Sequence, residues 1–275
     1  MTSPMLEKLI RFQRPERVLP FAQNLSVPTL AGIFGADETE YRTTLETLIR
    51  QRAAAAARLA TDPQVRADLT NLPFRPGDHL LAIGESTTAD RLSWFELLRV
   101  LLQTERSDLR LRFDNLAVSG ATTTQVLATV PAIRRQSADW TFCMLGSNDS
   151  QRLDAADGPL LVSRSETLRN LAQLRARASR VAESRWLWLT PTPVDETRVA
   201  AFPFFRGAGI TWTNADITDL SAALLDSDDV VIDSAPAVTT AGADAFTDDG
   251  LHPSITTHEA LAARVVAALA RGKGR

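Results

Sequence analysis

Short apolar runs alternate with longer stretches of helical periodicity from about residue 79 onward. The runs have the length of strands, and the stretches are long enough for several helical turns. The predicted strands are His79–Gly84, Leu111–Val118, Trp140–Leu145, Trp186–Thr190 and Val230–Asp233. The predicted helices are Leu92–Gln103, Ser165–Val181, Asn214–Leu225 and Thr256–Ala270. This alternation predicts an α/β fold in which helices cover both faces of a mainly parallel sheet.

The chain before the first predicted strand has a pattern that favours helices throughout. Asp37 is placed to cap a helix rich in alanine, leucine and arginine, and Asp62, followed by a proline, is placed to cap another. The sequence Leu-Pro-Phe-Arg-Pro-Gly at residues 72–77 is a cluster of helix breakers. We therefore predict an N-terminal helical extension over residues 1–75 and a main domain over residues 76–275.

The composition is that of an ordinary globular protein. Of the 275 residues, 44% are hydrophobic and 23% are charged, and the net charge is −3. The chain can therefore bury a large core, and it has no basic patch typical of a nucleic-acid partner. The first twenty residues lack the apolar run of a secretion signal or membrane span, so we expect a cytoplasmic protein. Cys143 is the only cysteine, which excludes an intramolecular disulfide, and we expect a buried thiol.

Candidate chemistry lies where the predicted strands end, because ligands of parallel sheets bind at the carboxyl ends of the strands. Ser86 follows the first strand and Gly84, in a turn that would expose its hydroxyl. Gly120 follows the second strand, where its amide can approach a ligand, and Asn148 follows the third. Ordinary structural roles remain open for each residue alone, since serine and asparagine also cap helices and glycine also forms turns.

A carboxylate and a histidine stand three residues apart before the last predicted helix. Asp249 can accept a hydrogen bond from one ring nitrogen of His252, which leaves the other nitrogen free as a base. The adjacent Asp248 is an alternative partner. The other two histidines, His79 and His258, are expected at a strand edge and on the surface of the last helix, without a catalytic role.

Together the four segments resemble the four sequence blocks of the SGNH/GDSL hydrolases, in the same order and over about residues 78–271. In that family the blocks carry a nucleophilic serine, a glycine, the asparagine of a G-x-N-D motif, and a D-x-x-H pair. The matching residues here are Ser86, Gly120, Asn148, Asp249 and His252. The resemblance implies a three-layer α/β/α sandwich with a flavodoxin-like, mainly parallel sheet.

The resemblance also implies a serine esterase or lipase that cleaves carboxylic esters through an acyl-enzyme intermediate. Ser86, His252 and Asp249 would form the triad, and the amides of Ser86 and Gly120 with the side chain of Asn148 would form the oxyanion hole. Neither a cofactor nor a metal would be needed, and the expected partner is a small-molecule ester. An acyltransferase with the same site and a non-catalytic protein of the same fold remain alternatives. A nucleotide-binding protein is disfavoured, because the first turn lacks a glycine-rich phosphate loop.

Several features fall outside this pattern, and the oligomeric state is left open. Glu85 stands where the family has an aspartate, so hydrogen bonds made by the shorter acid must shift. Asp149 is expected to hold a local turn. The helical extension is expected to pack on the main domain or on a partner subunit, as a brace or as a lid over the site. Aromatic residues in or near residues 191–209 are expected to line an acyl pocket or to pack beneath a loop: Trp188, Phe202, Phe204 and Phe205.

Overall fold

The structure is a computed structural model that describes residues 4–15, 24–178 and 185–272. A five-stranded sheet forms its centre, and its strands are β1 His79–Gly84, β2 Arg112–Asn115, β3 Trp140–Met144, β5 Arg185–Leu189 and β7 Val230–Ile232. Their order in the sheet is β2-β1-β3-β5-β7, with parallel pairing throughout. The short strands β4 Arg152–Leu153 and β6 Ile210–Thr211 form a separate antiparallel pair. The order of the main sheet is that of flavodoxin-like folds.

Helices precede the sheet and alternate with its strands. The described α-helices are α1 Pro4–Phe12, α2 Val27–Ile33, α3 Glu38–Thr61, α4 Pro63–Leu69, α5 Ser86–Ala89, α6 Trp94–Glu105, α7 Thr123–Ala128, α8 Val130–Gln136, α9 Arg164–Ala178, α10 Glu196–Ala201, α11 Pro203–Ala208, α12 Asn214–Leu225, α13 Ala235–Ala241 and α14 Ile255–Ala270. Two short 3-10 helices span Ser107–Leu109 and Gly242–Asp244.

The predicted strands and long helices are confirmed, with shifts at their ends. The limits of β1 and α12 are those predicted, whereas β2 ends three residues early, at Asn115. The side chain of Asn115 accepts a hydrogen bond from the amide of Ala117 at 3.0 Å and donates one to the carbonyl of Thr88 at 2.8 Å, so the chain turns there. The predicted end of the helix at Val181 lies outside the described residues.

Helices cover both faces of the sheet. Successive side chains of a strand point to opposite faces, and those of β1 divide accordingly between two hydrophobic clusters. Leu80 and Ala82 pack in a cluster with α6 and α14, whereas Leu81 and Ile83 pack in a second cluster with α7, α8, α9 and α12. The three-layer α/β/α sandwich is therefore confirmed. Cys143 belongs to the second cluster and is fully buried, as expected.

The N-terminal helices pack on this sandwich. The side chains of Asp37 and Asp62 accept hydrogen bonds from the first-turn amides of α3 and α4, which confirms both predicted caps. Both helices contribute to the cluster that contains α6 and α14, through Ala55, Ala56, Leu59, Val65 and Leu69. A third cluster joins α1, α2 and the first half of α3 to the main domain: Leu6, Ile10, Ala31, Tyr41, Leu48 and Leu92.

The expectation that His79 and His258 lie near the surface is wrong. Their exposed fractions are 2% and 0%. His258 accepts a hydrogen bond at Nδ1 from the amide of Trp94 at 3.3 Å, so its Nε2–H donates to Oδ2 of Asp90 at 3.2 Å. Burial lowers the pKa of His258, although the neighbouring carboxylate opposes this effect. Within the described residues, no helix combines the length and the apolar character needed to cross a bilayer.

Candidate active site

Ser86 lies in a tight turn at the carboxyl end of β1. Glu85 is extended, with φ −116° and ψ −153°, and Ser86 is the first residue of α5. A Cβ on Gly84 would lie 2.6 Å from the backbone oxygen of Met144 and 2.8 Å from Oγ1 of Thr88. Only glycine therefore allows β1 and β3 to approach each other at this point without displacement. The turn presents Ser86 partly exposed at the sheet edge where ligands bind in such folds.

Asp249 and His252 are brought together in the turn before α14. Nδ1 of His252 lies 2.8 Å from Oδ2 of Asp249. Because an ionised carboxylate only accepts hydrogen bonds, Nδ1 carries the proton and Nε2 is left with a lone pair. Oδ1 of Asp249 accepts from the amides of Leu251 and His252 at 3.0 and 2.9 Å and from Oγ1 of Thr247 at 3.0 Å. Both carboxylate oxygens are therefore fixed.

The environments of the two adjacent aspartates differ strongly. Asp249 has no exposed side-chain surface, whereas the side chain of Asp248 is 74% exposed. Burial by itself would raise the pKa of Asp249, but the hydrogen bonds from His252, with a further one from Lys8, hold it well below its usual value. Asp249 thus stays ionised over the working range of most enzymes and is the carboxylate that orients His252.

The asparagine and the acid before the serine form one hydrogen-bonded unit. The carboxyl oxygens of Glu85 accept from the amide of Ser147 at 2.9 Å, the amide of Asn148 at 3.0 Å and the side-chain Nδ2 of Asn148 at 2.7 Å. Nδ2 of Asn148 also donates to the carbonyl of Ala121 at 3.1 Å. This carbonyl follows Gly120, whose φ of +80° is in the left-handed region. Glu85, which replaces the aspartate of the family, therefore links the first block to the third. Asn148 in turn links the third block to the second.

Glu85 is a buried acid with competing influences on its ionisation. Its exposed fraction is 2%. Burial raises the pKa of Glu85 to about 8, with a contribution from the charge of Asp149, while the three donors from Ser147 and Asn148 oppose this shift. Asp149 was expected to hold a local turn, but its side chain accepts hydrogen bonds from the amide and hydroxyl of Thr123 in α7 and from the hydroxyl of Thr167 in α9, so it joins distant segments.

The first helix of the chain contributes three side chains that the sequence did not identify as part of the site. Nζ of Lys8 lies 2.6 Å from Oδ2 of Asp249. The ring of Phe12 packs on the ring of His252 with 4.4 Å between centroids. The backbone carbonyl of Phe12 accepts a hydrogen bond from Oγ of Ser119 at 2.5 Å. The sequence did show polar and aromatic residues at helical spacing on one side of α1, opposite its apolar side. That pattern predicts an amphipathic helix, but it does not indicate which surface the helix covers.

Arg11, the third residue from α1, links the helix of Ser86 to the turn of His252. Its Nε and Nη2 donate to the buried carboxylate of Asp90 at 2.8 and 2.6 Å, and Asp90 directly follows α5. Nη2 also lies 3.3 Å from the carbonyl of Pro253, the residue after His252. Burial opposes ionisation of Asp90, but Arg11 and His258 hold its pKa far below the usual value. A charged network thus holds two candidate site segments together.

No hydrogen bond joins the hydroxyl of Ser86 to His252 within the described part of the chain. Such contacts are often long without substrate and shorten in the reactive complex. Beside the Asp249 turn lies a cavity of about 220 Å³, lined by α1 residues including Lys8 and Phe12 together with Thr247 and Asp248. In the described ranges, no cluster of three or more histidine, cysteine or acidic side chains is arranged to hold a metal ion.

The aromatic residues near 191–209 separate into different environments. Phe205 is buried with Val194, Val199, Trp212 and Leu251, and Phe202 packs against that group. Phe204 is 69% exposed, and Trp188 belongs to the second hydrophobic cluster, which contains α7, α8, α9 and α12. The ring of Phe202 also lies beneath Nζ of Lys8, 4.3 Å from its centroid. Residues 191–209, which contain α10 and α11, therefore pack together with Trp212 and Leu251. Of the four aromatic residues, only Phe202 contacts a residue that reaches Asp249.

Comparison with solved structures places the fold among esterases and related hydrolases. The structure is similar to the acetylxylan esterase Axe2 from Geobacillus stearothermophilus, with a TM-score of 0.53 and 22% identity over 71% of this chain and 95% of that one. The lipase/acylhydrolase from Enterococcus faecalis gives a TM-score of 0.54 and 20% identity over 72% of this chain and 97% of that one. LAE5, an α/β hydrolase from the Lake Arreo metagenome, gives a TM-score of 0.51 and 21% identity over 71% of this chain and 96% of that one.

The similarity to these structures establishes a shared fold, and the sequence itself establishes the family. No curated protein matches the chain. The GDSL-like lipase/acylhydrolase family, however, matches residues 77–260, which is well over half of the chain and contains all four segments with candidate residues. The protein therefore belongs to the GDSL-like lipase/acylhydrolase family.

Proposed function

We propose that the protein is a serine esterase that cleaves carboxylic esters of small molecules through an acyl-enzyme. Nε2 of His252 removes the proton from Ser86 as Oγ attacks the ester carbonyl, and Asp249 stabilises the imidazolium that forms. The protonated His252 then gives its proton to the departing alcohol. Water, deprotonated by His252, releases the acid and restores Ser86.

The observation that carries this proposal is the contact between His252 and the buried Asp249. At 2.8 Å it fixes the tautomer in which Nε2 can accept a proton, which is what a general base requires. The family match supports the same assignment, because the matched residues 77–260 include Ser86 and both members of this pair.

The oxyanion of the tetrahedral intermediate would be stabilised by the amides of Ser86 and Gly120 and by the side chain of Asn148. Both Nδ2 hydrogens of Asn148 already have acceptors, the carboxyl group of Glu85 and the carbonyl of Ala121. The oxyanion would share the hydrogen of the longer, 3.1 Å contact to Ala121. This amide is therefore oriented before substrate arrives, as electrostatic preorganisation requires.

The test is hydrolysis of p-nitrophenyl esters of graded acyl length by the wild type, Ser86→Ala and Ser165→Ala. Ser165 is an exposed serine in α9 and serves as the matched control. We expect Ser86→Ala to lose ester hydrolysis and labelling by a fluorophosphonate while keeping its melting temperature, since the change removes one partly exposed oxygen. Ser165→Ala should behave as the wild type. Hydrolysis by Ser86→Ala at the wild-type rate would refute the mechanism.

A further inference from the structure

We propose that α1 is part of the active site and that Lys8 is a positioning residue, which sets the proton affinity of the His252–Asp249 pair. The inference rests on the proposed role of that pair in ester hydrolysis. It concerns a region outside the family match, which begins at residue 77. The active site would thus be completed by a helix that the matched domain does not contain.

The two sides of α1 contact different parts of the protein. Lys8, Arg11 and Phe12 are spaced as i, i+3 and i+4, which places them on one side of a helix. They contact Asp249, Asp90 and His252 respectively. Leu6 and Ile10 are buried in the cluster formed with α2 and α3. The apolar side of α1 therefore packs on the rest of the helical extension, while its opposite side contacts the turn of Asp249 and His252.

Lys8 has a restricted environment around its charge. Its ammonium lies 2.6 Å from Oδ2 of Asp249 and 3.3 Å from Oδ1 of Asp248, and the ring of Phe202 lies below it at 4.3 Å. Its side chain is 27% exposed. Partial removal from water strengthens both the ion pair and the cation–π contact.

Arg11 is the other basic residue of α1 that lies near the pair. On α1 itself, Glu7 and Arg11 interact, and Arg11 binds Asp90, which also contacts His258. Arg11 also acts on Asp249, by its charge. Lys8 is thus the basic residue that shares a carboxylate oxygen with His252, whereas Arg11 donates its hydrogen bonds to Asp90.

The shared oxygen gives Lys8 a specific chemical effect. Oδ2 of Asp249 accepts from both Nζ of Lys8 and Nδ1 of His252, at 2.6 and 2.8 Å. The ammonium neutralises part of the negative charge that would otherwise stabilise the imidazolium. Because Oδ1 has three donors of its own, the carboxylate cannot rotate away from either partner.

The magnitude follows from one unit charge that shares a carboxylate oxygen with the imidazole, at 2.6 and 2.8 Å. In a water-like medium, such a neighbouring charge changes a protonation equilibrium about fivefold, which is about 1 kcal/mol or roughly 0.7 pH unit. We therefore expect the acid limb of the kcat/KM profile to move up by roughly 0.7 unit in Lys8→Met. Well below that limb, kcat/KM should fall about fivefold, and on the plateau it should change little. Lys8→Arg should keep the limb near its wild-type position.

The kinetic experiment uses the full chain with Lys8→Met, Lys8→Arg and the control Arg42→Met. Arg42 is 52% exposed on α3 and carries the same charge, so its replacement reproduces the change in net charge. A loss in Lys8→Met that is equal at all pH values and accompanies a lower melting temperature would show a merely structural role. An unchanged limb in Lys8→Met, or an equal shift in Arg42→Met, would overturn the proposal.

A second readout is independent of catalysis. The chain has only three histidines, so the ring signals can be followed individually by NMR during a pH titration. We expect the midpoint of the His252 signal to move up in Lys8→Met and not in Lys8→Arg. If the wild type proves inactive on esters but this shift is present, the proposed function fails while the coupling stands. If the enzyme is active and the midpoint is unchanged, the coupling fails alone.

Discussion

Replacing Asp249 by asparagine is the most informative single change, because the two carboxylate oxygens face different partners. Oδ1 accepts three hydrogen bonds, from Thr247, Leu251 and His252, so the remaining oxygen of an asparagine should keep that position. The new NH2 group would then face Nδ1 of His252 and Nζ of Lys8, which are both donors. His252 can avoid this conflict only by moving its proton to Nε2, and Nε2 then no longer accepts a proton from Ser86.

The expected losses of activity and stability differ in size. A base held in the wrong tautomer lowers kcat by about 10⁴-fold. Stability should change less, because most of the hydrogen bonds of the turn remain and the buried donor conflict costs about 1–3 kcal/mol. Asp248→Asn is the matched control, since its side chain is 74% exposed and its contact with Lys8 is at 3.3 Å. Exposed ion pairs contribute at most about 1 kcal/mol, so this variant should retain nearly full kcat.

The assay is steady-state hydrolysis of one p-nitrophenyl ester, with urea unfolding of each variant at the same pH. We expect Asp249→Asn to lose kcat while remaining folded, with KM changed little. Retention of more than about a tenth of wild-type kcat by Asp249→Asn would refute the tautomer argument. A larger loss in Asp248→Asn than in Asp249→Asn would show that the carboxylate partner is wrongly assigned.

Two further predictions concern stability. Because burial raises the pKa of Glu85 from its ordinary 4.5 to about 8, the folded protein binds a proton that the unfolded chain releases, so the free energy of unfolding should fall as pH rises through this window. The slope should reach about 1.4 kcal/mol per pH unit and be lost in Glu85→Gln, as measured by urea unfolding; equal slopes would contradict it. Leu48→Ala, at a buried position, should cost about 2–5 kcal/mol, and Ile49→Ala, at a neighbouring exposed position, much less; equal costs would contradict this difference.

The sheet and its long helices could be predicted from the sequence because their signals are local. The apolar run of β1 and the periodicity of α12 predicted their limits. A strand buried on both faces and a helix buried on one side each produce a pattern among neighbouring residues. Short elements such as α5, with four residues, have no such periodicity. The burial of His79 and His258 depended on distant partners, Asp114 and Asp90, which spacing along the chain cannot reveal.

The candidate site likewise contains local contacts, which the sequence predicts, and long-range contacts, which it does not. The contact between Asp249 and His252 spans three residues of one turn, so their spacing suggested it, and spacing together with the family pattern favoured Asp249 over Asp248. The hydrogen bonds between Glu85 and Asn148 join segments 63 residues apart, and only the block pattern of the family suggested that these segments meet. Lys8 lies about 240 residues from Asp249. Nothing in that pattern includes α1, so no reasoning from the blocks could place a lysine on the carboxylate.

The helical extension shows why the brace and lid expectations need not exclude each other. Leu59 and Leu69 share a cluster with α6 and α14, so this part of the extension covers apolar surface of the main domain, as a brace does. Lys8 and Phe12 lie against Asp249 and His252, where a lid would lie. One continuous stretch of chain makes both sets of contacts. The predicted boundary at residues 75 and 76 is therefore a boundary in sequence pattern, whereas the packing and the proposed chemistry both cross it.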